Sequence, residues 1–96
     1  MSKYNLSFDK NFLRKLKKYY KKNKALHGRV KIFLKSFAND PFYSGFKTHR
    51  VIVPNHRKVY ASRVTGDIRV IWNLEDDYTI LLLDIGGHEG SKKVYK

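Results

Sequence analysis

The stretch YASRVTGDIRVIW, residues 60–72, decides the fold of this chain of 96 residues. Two runs rich in Val, Ile, Tyr and Trp lie on either side of Thr65-Gly66, which is a typical turn sequence. The stretch therefore predicts two antiparallel strands joined by a tight turn.

The register of this hairpin is open between two possibilities. If the loop has two residues, Val64 pairs with Asp67, and Arg63 and Arg69 point to opposite faces. If it has three, with Gly66 in a left-handed bulge position, Arg63 pairs with Arg69. We favour the second register because it separates apolar from charged side chains better. One face then carries Tyr60, Ser62, Val64, Ile68, Val70 and Trp72, and the other carries Val59, Ala61, Arg63, Arg69, Ile71 and Asn73.

Two amphipathic helices are expected before the hairpin. Alternating apolar residues at positions 4, 6 and 8 predict a short first strand, and Asp9 is suited to cap a helix over residues 10–22. An apolar stripe from Leu26 to Phe37 predicts a second helix, which Asn-Asp-Pro at residues 39–41 ends.

Three strands are expected after residue 58. They cover residues 59–64, 67–74 and 78–85, and the acidic residues 75–77 form the turn between the last two. The last strand is nearly all apolar and fits a central position in a sheet. Residues 42–57 are expected to be a loop with at most a short strand at 51–53. The order β-α-α-β-β-β makes residues 1–96 a single domain.

The charge of the chain favours a polyanionic partner. Its 21 Lys and Arg against 8 Asp and Glu give a formal charge of +13. RNA, DNA, an acidic membrane surface and an acidic protein all fit this charge. The chain has no cysteine, which excludes disulfides and thiolate metal sites and favours a cytoplasmic setting. Neither a signal peptide nor a membrane-spanning run is present, so we expect no membrane association.

Motifs for metal or cofactor chemistry are absent from the sequence. It has no phosphate-binding glycine loop, no HExxH and no regular acidic cluster, so we expect neither a metal site nor a cofactor. The remaining candidates for chemistry are Arg63, Arg69, His49, His88, Glu89 and Tyr95. Two arginines side by side repel each other without a ligand, and a phosphate fits their planar groups best.

RNA can be cut by such residues without a metal. The 2′-OH attacks the adjacent phosphorus, a base takes its proton, cations hold the phosphoryl oxygens, and an acid protonates the leaving 5′-oxygen. His88 is suited to either proton role at neutral pH. Tyr95 could orient a group, stack on a base or donate a proton.

Together, the segments SFDKNFLRKLKKY, KTHRV, YASRVTGDIRVIW and LLLDIGGHEGSKKVY resemble the RelE/ParE superfamily of type II toxins, most closely its RelE, YoeB and YafQ branches. The resemblance implies an α+β fold with two N-terminal helices packed on a twisted antiparallel sheet. It implies metal-independent mRNA endonuclease activity, commonly at the A site of the translating ribosome. It also implies a cognate antitoxin.

The resemblance assigns roles to single residues. Arg63 and Arg69 match phosphate-binding arginines, and His88 matches a position that holds a catalytic histidine in some relatives. Tyr95 matches a catalytic or base-stacking aromatic residue, although the spacer EGSKK makes its distance from His88 longer than in the compact branches. His49 matches a histidine that contributes to the site in one branch. The substrate-binding candidates are Lys58, Asp67, Glu89, Lys92 and Lys93, of which Asp67 is equally explained as a turn residue.

Three other functions are compatible with the same sequence. A ParE-like toxin shares the fold but inhibits DNA gyrase, and His88 with Tyr95 argues against it. A plain nucleic-acid-binding module needs only the positive charge. An inactive toxin would be retained for antitoxin binding alone.

Overall fold

The computed structural model describes residues 3–52 and 59–87, which form two α-helices, five strands and one short 3-10 turn. The elements are β1 (Asn5–Phe8), α1 (Lys10–Lys22), α2 (Lys24–Asn39), the 3-10 turn (Ser44–Phe46), β2 (His49–Val51), β3 (Val59–Arg63), β4 (Ile68–Asp76) and β5 (Thr79–Gly87). The predicted order is confirmed, and α1 has the predicted bounds.

A side-chain cap at Asp9 and an extended residue at Asn23 set the limits of α1 and the start of α2. The Asp9 carboxylate accepts a hydrogen bond from the Asn11 N–H at 2.9 Å, which caps α1 as expected. Asn23 is extended and separates α1 from α2. Neither helix in residues 3–52 is long and apolar enough to cross a membrane.

The sheet has the strand order β1-β5-β4-β3-β2, counted over the described residues. Strands β2 to β5 are antiparallel, as predicted, and β5 is a central strand. Strand β1 pairs with β5 in parallel, with Asn5 opposite Thr79 and Phe8 opposite Leu82. The sheet is therefore mixed, because α1 and α2 connect β1 to the rest of the chain without a hairpin.

The strand boundaries differ from the prediction by one to two residues: β3 ends at Arg63, β4 covers Ile68–Asp76 and β5 covers Thr79–Gly87. Asp76 belongs to β4 rather than to the turn, and its carboxylate accepts a hydrogen bond from the Tyr78 N–H at 2.8 Å. This hydrogen bond, followed by one from Thr79, lowers the pKa of Asp76. The short strand expected at residues 51–53 is β2, which begins earlier, at His49, because it pairs with β3 over His49–Val51.

The main core lies between the helices and one face of the sheet. Phe12 and Leu16 of α1 pack with four apolar residues of α2 on the inward side chains of β4 and β5. A second, smaller cluster consists of Val59, Ala61 and Ile71, with Val51 and Leu83 packed against it. Since this cluster contains no helix residue among those described, we call its side of the sheet the helix-free face.

A chain of hydrogen bonds ties the segment after α2 to the sheet. The Trp72 Nε1–H donates to Ser62 Oγ at 2.8 Å, and Ser62 Oγ lies 2.6 Å from Thr48 Oγ1. Thr48 donates its own proton to the Pro41 carbonyl at 2.7 Å, so Ser62 must be the donor to Thr48. All three side-chain groups are thereby satisfied, which fixes residues 41–48 against β3.

Candidate functional site

Arg63 and Arg69 are cross-strand partners at the ends of β3 and β4. The Val64 N–H donates to the Ile68 carbonyl at 2.9 Å and closes the hairpin there. The predicted register is confirmed, as is the assignment of side chains to faces, because Val64, Ile68, Val70 and Trp72 all join the main core. Arg63 and Arg69 therefore share the helix-free face.

The turn between them is held by Thr65. Its Oγ1 accepts hydrogen bonds from the N–H groups of Asp67 and Ile68 at 3.2 and 3.1 Å. Gly66 does not adopt the left-handed φ that we expected, so that detail of the prediction was wrong. The threonine hydroxyl takes the place of a bulge glycine in satisfying the turn backbone.

The Arg69 side chain is buried beside this turn. It is 7% exposed, and its Nη1 donates to the carbonyls of Thr65 and Gly66 at 3.2 and 3.4 Å. Both contacts are to neutral acceptors, so they hold the guanidinium in place without neutralising its charge.

Arg63 is half-buried, and its Nε is a buried donor without a hydrogen-bond partner among the described residues. A buried donor on a charged group is costly to leave unpaired, and the neighbouring Arg69 adds like-charge repulsion. An anion placed over the pair would remove both costs.

Gly86 completes this row of the sheet, because it lies opposite Arg69 on β5. Glycine has no side chain, so β5 contributes only backbone beside the Arg69 side chain. The adjoining row is apolar, with Ala61 opposite Ile71. The result is a cationic strip next to a buried apolar patch. A second unpaired buried atom on the same face, Asn73 Oδ1, is an acceptor at the far end of that patch.

His49 lies at the β2 edge of this face, opposite Ala61. Its Nδ1 is 2.9 Å from the Lys47 carbonyl, which can only accept, so Nδ1 carries the proton. In the neutral ring Nε2 then has the lone pair that a general base requires. The structure thus places His49 on the same face as Arg63, one row away.

Comparison with solved structures identifies the architecture. The YafQ toxin in the Escherichia coli DinJ–YafQ complex superposes with a TM-score of 0.71 at 17% identity, over 88% of this chain and 93% of that chain. RelE in the RelE–RelB complex of Pyrococcus horikoshii gives a TM-score of 0.68 at 22% identity, over 86% and 92%. A YoeB/ParE toxin from Agrobacterium tumefaciens gives 0.69 at 9% identity, over 88% and 99%.

The chain has the fold of the RelE, YoeB and YafQ toxins. This confirms the α+β, RelE-like architecture expected from the sequence. Compared by sequence, the chain matches no family model and no curated protein. At such low sequence identities the comparison establishes a common fold and not a common activity.

Asp67 belongs to the turn whose carbonyls bind Arg69, but it borders the helix side of the sheet. It is exposed in the turn and borders a groove of about 250 Å³ with Tyr19, Lys22 and Arg29 of the helices. Its backbone N–H is bound by Thr65. This position agrees with the turn reading of Asp67, and its expected substrate contact stays a prediction.

Six expected site residues fall outside the described part of the chain. They are Lys58, His88, Glu89, Lys92, Lys93 and Tyr95. The description of β5 stops at Gly87, which pairs with Ile68, the residue before Arg69. The roles of these six residues therefore stay predictions.

Other features of the site were not foreseen from the sequence. Gly86 was not among the expected site residues, although its place opposite Arg69 follows once the strand register is known. Asp84 of β5 forms an ion pair with Lys15 of α1 at 2.9 Å, and it also accepts from the Ile85 N–H. The only advance signal for this pair was an acid within an apolar strand. Among the described residues no group of acids and histidines is placed to hold a metal.

Proposed function

We propose that this protein is the toxin of a type II toxin–antitoxin system and that it cleaves mRNA. The observation that carries this proposal is the Arg63–Arg69 pair, in which a buried Nε has no partner among the described residues. A phosphate diester supplies the negative charge and the acceptor oxygens that this pair needs. The RelE-like fold supports the same class.

In the proposed mechanism the 2′-OH attacks the adjacent phosphorus. Arg63 and Arg69 hold the non-bridging oxygens, on which negative charge grows in the transition state. His88 is our candidate for the proton transfers, with His49 as the histidine that β2 places on this face. Tyr95 assists by orienting a group or stacking on a base. The products are a 2′,3′-cyclic phosphate and a 5′-OH, and the reaction needs no metal because RNA supplies its own nucleophile.

The partners that we propose are mRNA in the ribosomal A site and a cognate antitoxin. Among the solved neighbours, YafQ is bound to DinJ and RelE to RelB, which supports an antitoxin partner. Lys58, Asp67, Glu89, Lys92 and Lys93 are the proposed additional contacts to substrate. Translating ribosomes place this activity in the cytoplasm.

The proposal is tested by adding purified protein to a translation extract that contains a reporter mRNA. We expect cleavage fragments with 2′,3′-cyclic phosphate and 5′-OH ends in ribosome-bound mRNA. Isolated mRNA should be tested in parallel with and without EDTA, since ribosomes themselves need Mg²⁺. Arg69→Ala should abolish the fragments, whereas Arg14→Ala should not, because Arg14 lies on the exposed side of α1.

The alternative function is inhibition of DNA gyrase, which the similarity to a YoeB/ParE toxin favours. A supercoiling assay with the same protein separates the two. Intact mRNA together with blocked supercoiling would overturn the nuclease proposal. RNA binding without either effect would leave a non-catalytic RNA-binding module.

A further inference from the structure

Two neighbouring aromatic side chains, Phe42 and Tyr43, are exposed in the loop between α2 and β2. Phe42 is 49% exposed and Tyr43 56%, in a segment that Pro41, Phe46 and Thr48 anchor to the rest of the fold. We call residues 41–48 the aromatic loop. Large rings exposed side by side in a fixed loop indicate a binding surface.

The Tyr43 ring is held in one orientation by its neighbours. A Cβ at position 45 would approach Tyr43 Cε2 to 2.4 Å, so the ring lies against Gly45 in a space that a larger residue would fill. The edge of Phe46 contacts Tyr43 with ring centroids 5.3 Å apart, and Phe46 itself packs on the core. Tyr43 is therefore presented in place, and binding would cost little side-chain entropy.

Phe42 is held equally well. It makes edge contacts with Tyr60 and Trp72 at centroid distances of 5.3 and 5.6 Å. The Asp40 carboxylate accepts from the Phe42 N–H at 3.1 Å and shapes the turn before it. The hydrogen bonds from Trp72 through Ser62 and Thr48 fix the other end of the loop.

Positive charge surrounds these rings. Lys47 and Arg50 are exposed, and the segment from Phe42 to Val51 contains no acidic residue. The Arg50 guanidinium lies 5.7 Å from the centre of the Tyr60 ring. Exposed rings interleaved with cations match single-stranded nucleic acid, which offers a base face and a phosphate in every nucleotide.

The aromatic loop is also adjacent to the strand that carries Arg63. The 3-10 turn Ser44–Phe46 packs on β3, and Thr48 is hydrogen bonded to Ser62, the neighbour of Arg63 in the chain. Ser62 and Trp72 point to the helix-covered face and Arg63 points to the helix-free face, so the loop lies on the other side of the sheet from the arginine pair, beside β3.

We propose that the aromatic loop is a second RNA-contact surface, separate from the arginine pair, on which an unpaired base stacks on Tyr43. Phe42 borders this base, and Lys47 and Arg50 contact the phosphates beside it. The inference rests on the proposed RNA substrate and adds a site of base recognition to it. An acidic protein segment would also be attracted by the charge, but it lacks the planar bases that stack on exposed aromatic rings.

The test is binding of a labelled single-stranded RNA of about 12 nucleotides, 2′-O-methylated so that it cannot be cleaved. We expect Tyr43→Ala to weaken binding about tenfold and Tyr43→Trp to retain it, because stacking needs a ring and not a hydroxyl. Tyr78→Ala is the matched control, since Tyr78 is 62% exposed in the β4–β5 turn, outside the aromatic loop. A 2-aminopurine base in the RNA should lose fluorescence on binding, and Tyr43→Ala should restore it.

The outcomes separate this inference from the proposed function. Unchanged binding by Tyr43→Ala overturns the inference even if mRNA is cleaved. Loss of binding to a protein partner with RNA binding intact also overturns it, in favour of a protein-docking loop. If the wild-type protein binds RNA through Tyr43 but does not cleave it, the inference holds and the nuclease proposal fails.

Discussion

Arg63 and Arg69 lie directly opposite each other on neighbouring antiparallel strands, and both side chains are at least half-buried. A protein gains no stability from two adjacent cations on a sheet. Arg69 is positioned by turn carbonyls, and Arg63 keeps a buried Nε without a partner among the described residues. The arrangement therefore costs stability unless an anion is bound, which is the basis of the proposed phosphate contact.

Replacing Arg63 should lower the activity of the protein but raise its stability. We expect Arg63→Gln to lower the RNA cleavage rate by about 100-fold, because a charged donor to the phosphate is lost. Its free energy of unfolding should rise by about 0.5 kcal/mol as the repulsion from Arg69 disappears. Cleavage kinetics and urea unfolding measure the two effects.

Inorganic phosphate provides a readout of Arg63 that does not depend on cleavage. Added phosphate should raise the Tm of the wild-type protein more than that of Arg63→Gln, because only a ligand of the folded state stabilises it. Arg14→Gln controls for overall charge, since Arg14 lies exposed on α1. Wild-type activity in Arg63→Gln would remove Arg63 from the mechanism.

Gly86 should be needed for access to the arginine pair. In Gly86→Ala the new Cβ lies on the same face as Arg69, roughly 5 Å from its Cβ. We expect cleavage to fall about tenfold, as for a small displacement of a bound substrate. Gly87→Ala is the control, because its Cβ would meet only the Asp67 carbonyl at an ordinary 3.8 Å. Equal activities of the two variants would contradict this role.

The Trp72–Ser62–Thr48 hydrogen bonds should contribute measurably to stability. Ser62→Ala leaves the buried Trp72 Nε1–H without its acceptor, which costs about 1–3 kcal/mol. Thr48→Val should cost less, because Ser62 can still accept from Trp72. Urea unfolding followed by fluorescence of the single tryptophan measures both. A larger loss in Thr48→Val would show that this order of importance is wrong.

Asp76 should give the fold a component of acid sensitivity. The hydrogen bond from the Tyr78 N–H lowers the pKa of its carboxyl below the ordinary value of 3.8. The stabilisation is therefore present above pH 3.8 and is lost as the pH falls through the lower, folded-state pKa. Asp76→Ala should be less stable than wild type at about pH 6, and the difference should shrink towards about pH 2.

Asp77→Ala is the matched control for Asp76. It removes a carboxylate from the same turn but leaves the hydrogen bond from the Tyr78 N–H to the Asp76 carboxylate in place. A constant difference between wild type and Asp76→Ala across this pH range would contradict the linkage to Asp76 ionisation.

The sequence predicted the parts of the fold that rest on periodicity. The apolar stripes predicted both helices, and the separation of apolar from charged residues predicted the pairing of Arg63 with Arg69. This worked because a shift by one residue would have placed charges in the core. The parallel pairing of β1 could not be read in this way, since alternation within a strand does not specify the direction of its neighbour.

The details of the site depend on contacts between distant residues. The burial of Arg69, the unpaired Nε of Arg63 and the Lys15–Asp84 ion pair all arise from tertiary packing. Residue preferences predicted a glycine bulge at Gly66. The Thr65 hydroxyl shapes the turn instead, because it accepts hydrogen bonds from the N–H groups of Asp67 and Ile68. Such exchanges are visible only when the backbone hydrogen bonds are known.

The parallel pairing of β1 with β5 sets the order of assembly during translation. Because Asn5 pairs with Thr79, this long-range pairing forms only after residue 79 has left the ribosomal exit tunnel. Until then Phe12 and Leu16 have no sheet to cover, and Gly86 has not joined Arg69. The arginine pair therefore gains its third strand, with Gly86 beside Arg69, only when β5 joins the sheet.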